Sequence, residues 1–282
     1  MLHDVIVPLD GSPEALAAVG PAAAMAHYLG SEVTAVACFH DDDEKSQLAS
    51  VVPEQLRSLG AMPHQVQLEP VEDSVGATIG RICAQHPGRL LVMTTRGRGR
   101  SASLLGSVAV DILEEASGPI MLVGPNYHPG RFRCHGPLLT AIPPGELTRE
   151  GSFSRLILPT AQAFGLTFDF DLELDTVHEP YALAGLDPAA SASLAELGHD
   201  LADDLSTLAE EMAGEVGAPV DHQVLRGASP GRALVKRAEA TGAAAIAMVT
   251  GNPTGLTRLL LGSVTGHVVR HAPCPVIVLH PR

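Results

Sequence analysis

A chain of 282 residues that is 45% hydrophobic and 18% charged has the composition of a folded protein and the length of two average domains, which excludes disorder along its whole length. Its 18 Lys and Arg stand against 32 Asp and Glu, a formal charge of −14, so a surface that tracks nucleic-acid phosphates is excluded as well. Trp is absent and aromatics are only 3%, leaving Ala, Val, Leu and Ile to build a core suited to helices packed closely on a parallel sheet.

The opening Met1-Leu-His-Asp4 runs directly into an apolar stretch without the basic head of a secretion signal. No apolar run approaches the roughly 20 residues that span a bilayer. The four Cys form no Cys-x-x-Cys pair. These features predict a cytoplasmic protein with no membrane contact, no disulfide framework and no structural zinc. Asp4 to Leu9 reads as a strand, closed by Asp10-Gly-Ser-Pro13, with Ser12 as helix cap and Pro13 as first helical residue. Leu16, Val19, Ala23 and Ala26 then recur at helical spacing until Gly30. Val33 to Phe39 is strand-like, the acidic stretch Asp41 to Glu44 leads into a helix over 44–59, and Gln65 to Leu68 is a third strand. Val75 to Gln85 is helical, Arg89 to Thr94 a strand, Ser107 to Ala116 a helix and Pro119 to Val123 a fifth strand.

The same order follows again: strand at Leu138 to Ile142, helix over 152–164, strand over 167–177, helix over 189–216, strand at Asp221 to Leu225, helix at Pro230 to Thr241 and strand at Ala244 to Val249. Phe168 to Asp175 alternates apolar with acidic residues where a central parallel strand should be apolar throughout. That pattern predicts a strand with one face poorly covered, or bordered by solvent in a cleft. Strands alternating with helices pair in parallel through right-handed crossovers, an α/β architecture.

The second half copies the first. Leu104 to Pro125 aligns without gaps on Leu260 to Pro281, and upstream Gly76 pairs with Gly231 and Met93 with Met248 after one residue is dropped from the first copy. The join falls in the polar stretch Asn126 to Gly136. This gives a first domain over 1–126, a linker over 127–136 and a second domain over 137–282.

Open parallel sheets bind ligands beyond the carboxyl ends of their strands, at the topological switch point. In the first half those ends carry Asp10 after strand one and Thr94-Thr-Arg-Gly-Arg98-Gly-Arg100 after strand four, before Gly106-Ser107 opens a helix. Glycines let backbone amides approach phosphate, helix N-termini attract anions, and Arg96, Arg98 and Arg100 add forked donors. This is a nucleotide site in outline.

Pro8-x-Asp10-Gly-Ser12, Gly97-Arg-Gly99 ahead of Leu104-Leu-Gly-Ser-Val108, and Ala272-Pro-Cys-Pro-Val-Ile-Val278 resemble the universal stress protein family, as a tandem covering nearly the whole chain. The resemblance implies two five-stranded parallel sheets of order 3-2-1-4-5 with helices on both faces, a Rossmann-like fold. In ATP-binding members of that family the loop is Gly-x2-Gly-x9-Gly-(Ser/Thr), and the Asp after strand one and the backbone of strand two grip the adenosine. Carried onto this chain, Pro8 and Asp10 match, and Val36 takes the strand-two position. Thr94 replaces the first glycine, Gly97 is the second with Arg98 beside it, and Gly106 and Ser107 are the third glycine and hydroxyl, followed by Val108. Eight residues separate Gly97 from Gly106 where the family has nine, so the loop is shorter.

In the second half Val249 and Asn252 stand at the earlier glycine positions, and Ala141-Ile-Pro-Pro-Gly145 carries no carboxylate where Asp10 should recur. That half reads as a degenerate site. The resemblance further implies that Ile120 to Val123 pairs antiparallel with Val276 to Leu279 in an internal pseudo-dimer, and it leaves the whole chain free to form a homodimer. The expected function is a stress-response or regulatory protein that binds ATP, with Mg²⁺, and turns it over slowly at best. The alternative is a nucleotide-free structural or interaction module of the same fold.

A P-loop and a dinucleotide fingerprint are both missing. Ser12 and Ser107 sit at helix starts, where capping is the ordinary task, so no catalytic residue is assigned. Among thirteen His no metal-binding spacing occurs, His128 and His135 read as solvated, and no metal ligand is assigned. Cys38 and Cys83 read as small packing residues, and Cys134 as an exposed thiol.

Overall fold

The computed structural model describes residues 2–59, 64–86, 88–95, 107–115, 118–128, 135–148, 154–178, 188–250 and 262–279, with the side chains of 64, 107, 114, 154 and 188–197 left aside. The loop over 96–106, with Gly97, Arg98 and Gly106, and Cys134 lie outside the described residues. The first half runs β1 (Asp4–Pro8), α1 (Val19–Leu29), β2 (Val33–Phe39), α2 (Asp42–Ser58), β3 (His64–Pro70), α3 (Val75–Gln85), β4 (Arg89–Thr94), α4 (Ser107–Glu115) and β5 (Ile120–Val123). The second runs β6 (Pro137–Ala141), α5 (Leu158–Phe168), β7 (Asp171–His178), α6 (Pro188–Val216), β8 (Val220–Arg226), α7 (Pro230–Thr241), β9 (Ala245–Val249), α8 (Ser263–His271) and β10 (Val276–Leu279).

The strands form one ten-stranded sheet of order β3-β2-β1-β4-β5-β10-β9-β6-β7-β8. Each half has the expected order 3-2-1-4-5, and the halves join where β5 pairs antiparallel with β10, Ile277 opposite Met121. Without that pairing two buried hydrophobic edges would stand open. The core forms a layer on each sheet face, and both layers run through both halves: Val5, Met25, Leu48, Phe164 and Leu205 on one side, Ile6, Ile79, Ile112, Ile246 and Val268 on the other. Across the join α1 meets α5, with Tyr28 edge-on to Phe168 at 6.3 Å between ring centroids. His135 is exposed, as read from sequence, and lies with Nε2 3.2 Å from the Tyr28 hydroxyl.

Local signals account for most boundaries. Asp41 caps α2 by accepting the Glu44 amide at 2.8 Å, so the acidic stretch is the helix start itself, with Asp41, Asp42 and Asp43 exposed. Gly30 ends α1 in the left-handed region at φ 62°. Ser12 accepts the Ala15 amide at 3.3 Å, but the turn it opens is a 3₁₀ segment, Ala15–Ala18, ahead of α1. The strand over 167–177 starts later than its alternation suggests, because Phe168 still belongs to α5 and Asp169 makes the left-handed stop at φ 57°. All of β7 except Asp171 is buried, so a poorly covered acidic face is overturned; the alternative, a border on a cleft, holds at the carboxyl end of β7, where Asp175 and His178 line a cavity. Helix α7 lies over β7, and Arg237 Nε donates to Glu173 Oε1 at 2.6 Å to supply the countercharge.

The internal copy recurs in the packing. A Cβ at Gly76 would lie 2.3 Å from Asp111 Cβ, and one at the paired Gly231 would lie 2.9 Å from His267 Cβ, so α3 on α4 and α7 on α8 close in the same way. Gly124 has no such duplicate and fixes the join: a Cβ there would stand 2.0 Å from the Val269 carbonyl oxygen of α8. Backbone cannot yield as a side chain does. Gly124→Ala is expected to cost about 3 kcal/mol, whereas Gly20→Ala, where nothing lies within 4 Å of the new Cβ, should be neutral or mildly stabilising. Urea unfolding of both variants checks this, and equal midpoints would refute the close approach.

Candidate functional site

The two halves place equivalent positions at the carboxyl ends of their strands, and the backbone shows which residues correspond. The Leu9 amide donates to the Val36 carbonyl at 2.9 Å, and the Ile142 amide donates to the Asp175 carbonyl at 2.9 Å. The Thr95 amide donates to Val123 and the Thr250 amide to Leu279. Pro143 therefore stands where Asp10 stands, and Asp175 where Val36 stands.

In the first half, β1 lies between β2 and β4, so the switch point opens beyond Pro8 and Thr94. Pro8, half-buried, ends β1 in register with Val36, whose side chain packs into the second core layer. Asp10 follows at once. Its Oδ1 accepts from the Ser12 amide at 2.9 Å and from the Ser12 hydroxyl at 2.5 Å, a turn that holds the carboxylate at the crevice. Thr94 closes β4, and Ser107-Val108 opens α4, with Val108 half-buried against the core. Pro8, Asp10, Val36 and Thr94 are thus grouped at one strand end, while Gly97, Arg98, Gly106 and the Ser107 side chain fall outside the described residues.

The thiols are quiet. Burial, with Glu69 and Glu44 adding to it, pushes Cys38 up to about 12, and burial pushes Cys83 up to about 11. Neither is an effective nucleophile at neutral pH. Among the described residues no group of three or more His, Cys, Asp or Glu is placed to hold a metal ion, and no helix is long and apolar enough to cross a membrane.

In the second half a cavity of about 450 Å³ opens beyond β6, β7 and β9. Its lining is mostly apolar, with Ile142, Leu234, Met248 and Val264 among its walls, and Asp175, His178 and Thr265 as polar members. Asp175 is 0% exposed, and neither carboxyl oxygen meets a hydrogen-bond donor among the described residues. Burial raises its pKa to about 8, with Glu173 two residues away adding to the rise through its charge and a shared hydrogen bond, against an opposing pull from Arg237. A proton on Asp175 can be donated to Glu173, which leaves its second oxygen buried without a donor among the described residues. Sequence reasoning marked the acidic alternation Phe168 to Asp175, with a border on a cleft as one of its two readings, but did not single out Asp175 as a site residue.

A family model described as the universal stress protein family matches residues 1–124 and 154–280. Among curated proteins, the chain is 29% identical to the universal stress protein Rv2005c of Mycobacterium tuberculosis, covering 98% of this chain and 96% of that protein. It is also 29% identical to the universal stress protein MJ0531 of Methanocaldococcus jannaschii, over 46% of this chain and 84% of that one. Among solved structures, a universal stress protein from Archaeoglobus fulgidus superposes with a TM-score of 0.67 at 18% identity, covering 99% and 98% of the two chains. A putative universal stress protein from Pseudomonas aeruginosa gives 0.66 at 17%, covering 99% and 94%. With the model matching both halves, and with a sheet order, a β5–β10 join and a carboxylate after β1 that its motifs led one to expect, this chain belongs to the universal stress protein family.

Proposed function

We propose that the protein is a cytoplasmic, nucleotide-responsive regulatory protein whose first half, residues 1–126, binds ATP with Mg²⁺ and whose second half, residues 137–282, does not. The observation that carries this reading is Asp10, held by Ser12 at the carboxyl end of β1, beside the switch point. A carboxylate there accepts ribose hydroxyls, and the free amides at a helix start attract phosphate. The resemblance supplies Gly97, Arg98, Gly106 and Ser107 for the phosphates and the Val36 backbone for adenine. Pro143 at the equivalent place in the second half offers no such acceptor. The motifs assign no general base for attack on a phosphate, so the expected output is occupancy, with slow hydrolysis at most.

Equilibrium dialysis of the full chain with labelled ATP tests the reading. One ATP per chain is expected, with affinity at least tenfold weaker in Asp10→Ala, since a hydrogen bond to a charged group contributes about 1.5–3 kcal/mol. Two equivalents per chain would defeat the assignment to one half. No saturation at millimolar ATP would leave the nucleotide-free module in its place.

A further inference from the structure

The second-half cavity is more than a decayed copy of the first. It keeps a volume of about 450 Å³ within the size of small-molecule sites, walls that are mostly aliphatic, and a wholly buried carboxyl whose oxygens meet no donor. An abandoned pocket need not retain such a group, because an apolar side chain at position 175 would avoid the cost of burying it. The charges around it do not balance. Among the described residues, Glu173 and Asp175 on β7 are two carboxyls served by one guanidinium, Arg237 on α7, whose charge is also attracted by Asp221 on β8. His178, at the end of β7, lines the same cavity. With no second cation beside it among the described residues, burial favours the protonated form of Asp175 at neutral pH.

We infer that this cavity binds a small, mainly apolar molecule carrying one protonated amine, whose ammonium group sits on Asp175 while its hydrocarbon body fills the space between Ile142, Leu234, Met248 and Val264. The ammonium takes the place of the proton on Asp175: the carboxyl O–H bond breaks, the proton leaves to solvent, and the ligand keeps its own. A nucleoside triphosphate is a poor occupant, because these described walls offer its phosphates no cationic side chain and the carboxyls repel them. This inference is independent of the nucleotide reading of the first half.

Isothermal titration of the full chain at pH 7 with 4-phenylbutylamine, and with 4-phenylbutan-1-ol as its uncharged counterpart, tests it in two buffers of different ionisation enthalpy. The expected result is saturable binding of the amine with release of close to one proton, and binding of the alcohol at least tenfold weaker. Asp175→Asn, nearly the same shape, should weaken the amine at least tenfold and abolish proton release. Val264→Trp should block both ligands by filling the cavity, and Asp10→Ala should change neither. Equal binding of amine and alcohol, proton release unchanged in Asp175→Asn, or no binding at 5 mM, roughly the weakest affinity a ligand of this size should show, would each overturn it. So would binding of labelled adenosine that Val264→Trp removes.

Discussion

Arg237→Leu is expected to destabilise the protein by about 3 kcal/mol, toward the lower end of what removing one partner of a buried ion pair costs. Glu173 is only 4% exposed, and its carboxylate holds the Arg237 guanidinium at 2.6 Å. Arg237 itself keeps 30% of its side chain in solvent, so water screens part of the attraction. With the guanidinium gone, two carboxyls remain on one face of β7 with no cation between them. At about 2–4 °C per kcal/mol for a chain approaching this size, the midpoint of thermal unfolding should fall by roughly 6–12 °C. Arg237→Lys should recover only part of the loss, because an ammonium is a point charge without the directed Nε–H. The double variant Arg237→Leu with Glu173→Gln should recover more than half, because it removes the stranded charge. A single variant within 0.5 kcal/mol of the parent, the usual range for surface changes, would show that Glu173 is solvated and that α7 does not cover β7.

The fold was legible because its signals are local. Strands and helices alternate at their own periods, Gly30 and Asp41 mark helix ends, and the aligned copies show Gly76 and Gly231 at matching helix contacts. The join was legible through the family resemblance, which implied that the last strands of the two halves pair; that pairing also covers two hydrophobic edges. The acidic face of β7 was not. Its burial depends on Arg237, which lies 64 residues downstream of Glu173, and no window of sequence contains both. The β7 boundary failed for a related reason: Phe168, Phe170 and Leu172 keep a period of two across the stop at Asp169, yet Phe168 packs from a helix, against Phe164 at 5.1 Å. At the candidate sites the motif located Asp10, where a carboxylate was wanted by pattern. Asp175 became visible only once register placed it opposite Ala141, at the position Val36 holds in the other half.

Asp175→Asn is expected to reverse sign in its effect on stability between acid and mildly alkaline pH. The carboxyl titrates at about 8 in the folded protein, raised mainly by burial, and near 3.9 when the chain is unfolded. Below pH 4 both states hold the proton, so the group contributes no pH dependence. Between pH 4 and 8 the folded state binds a proton that the unfolded state has released, and stability therefore falls as pH rises, by at most about 1.4 kcal/mol per pH unit for one group. Above pH 8 the accumulated loss is on the order of 5 kcal/mol. Asn carries no such penalty. At pH 4 the variant should be no more stable than the parent, because a neutral carboxyl donates to Glu173 where an amide replaces it. By pH 8.5 the variant should be the more stable by several kcal/mol. Urea unfolding of the two proteins across this range, compared as a difference so that every other titrating group cancels, gives the curve directly. A difference that stays flat from pH 5 to 8.5 would mean that Asp175 is ionised throughout, and a solvated carboxylate at that position would leave the cavity no stored proton to exchange for an ammonium ion.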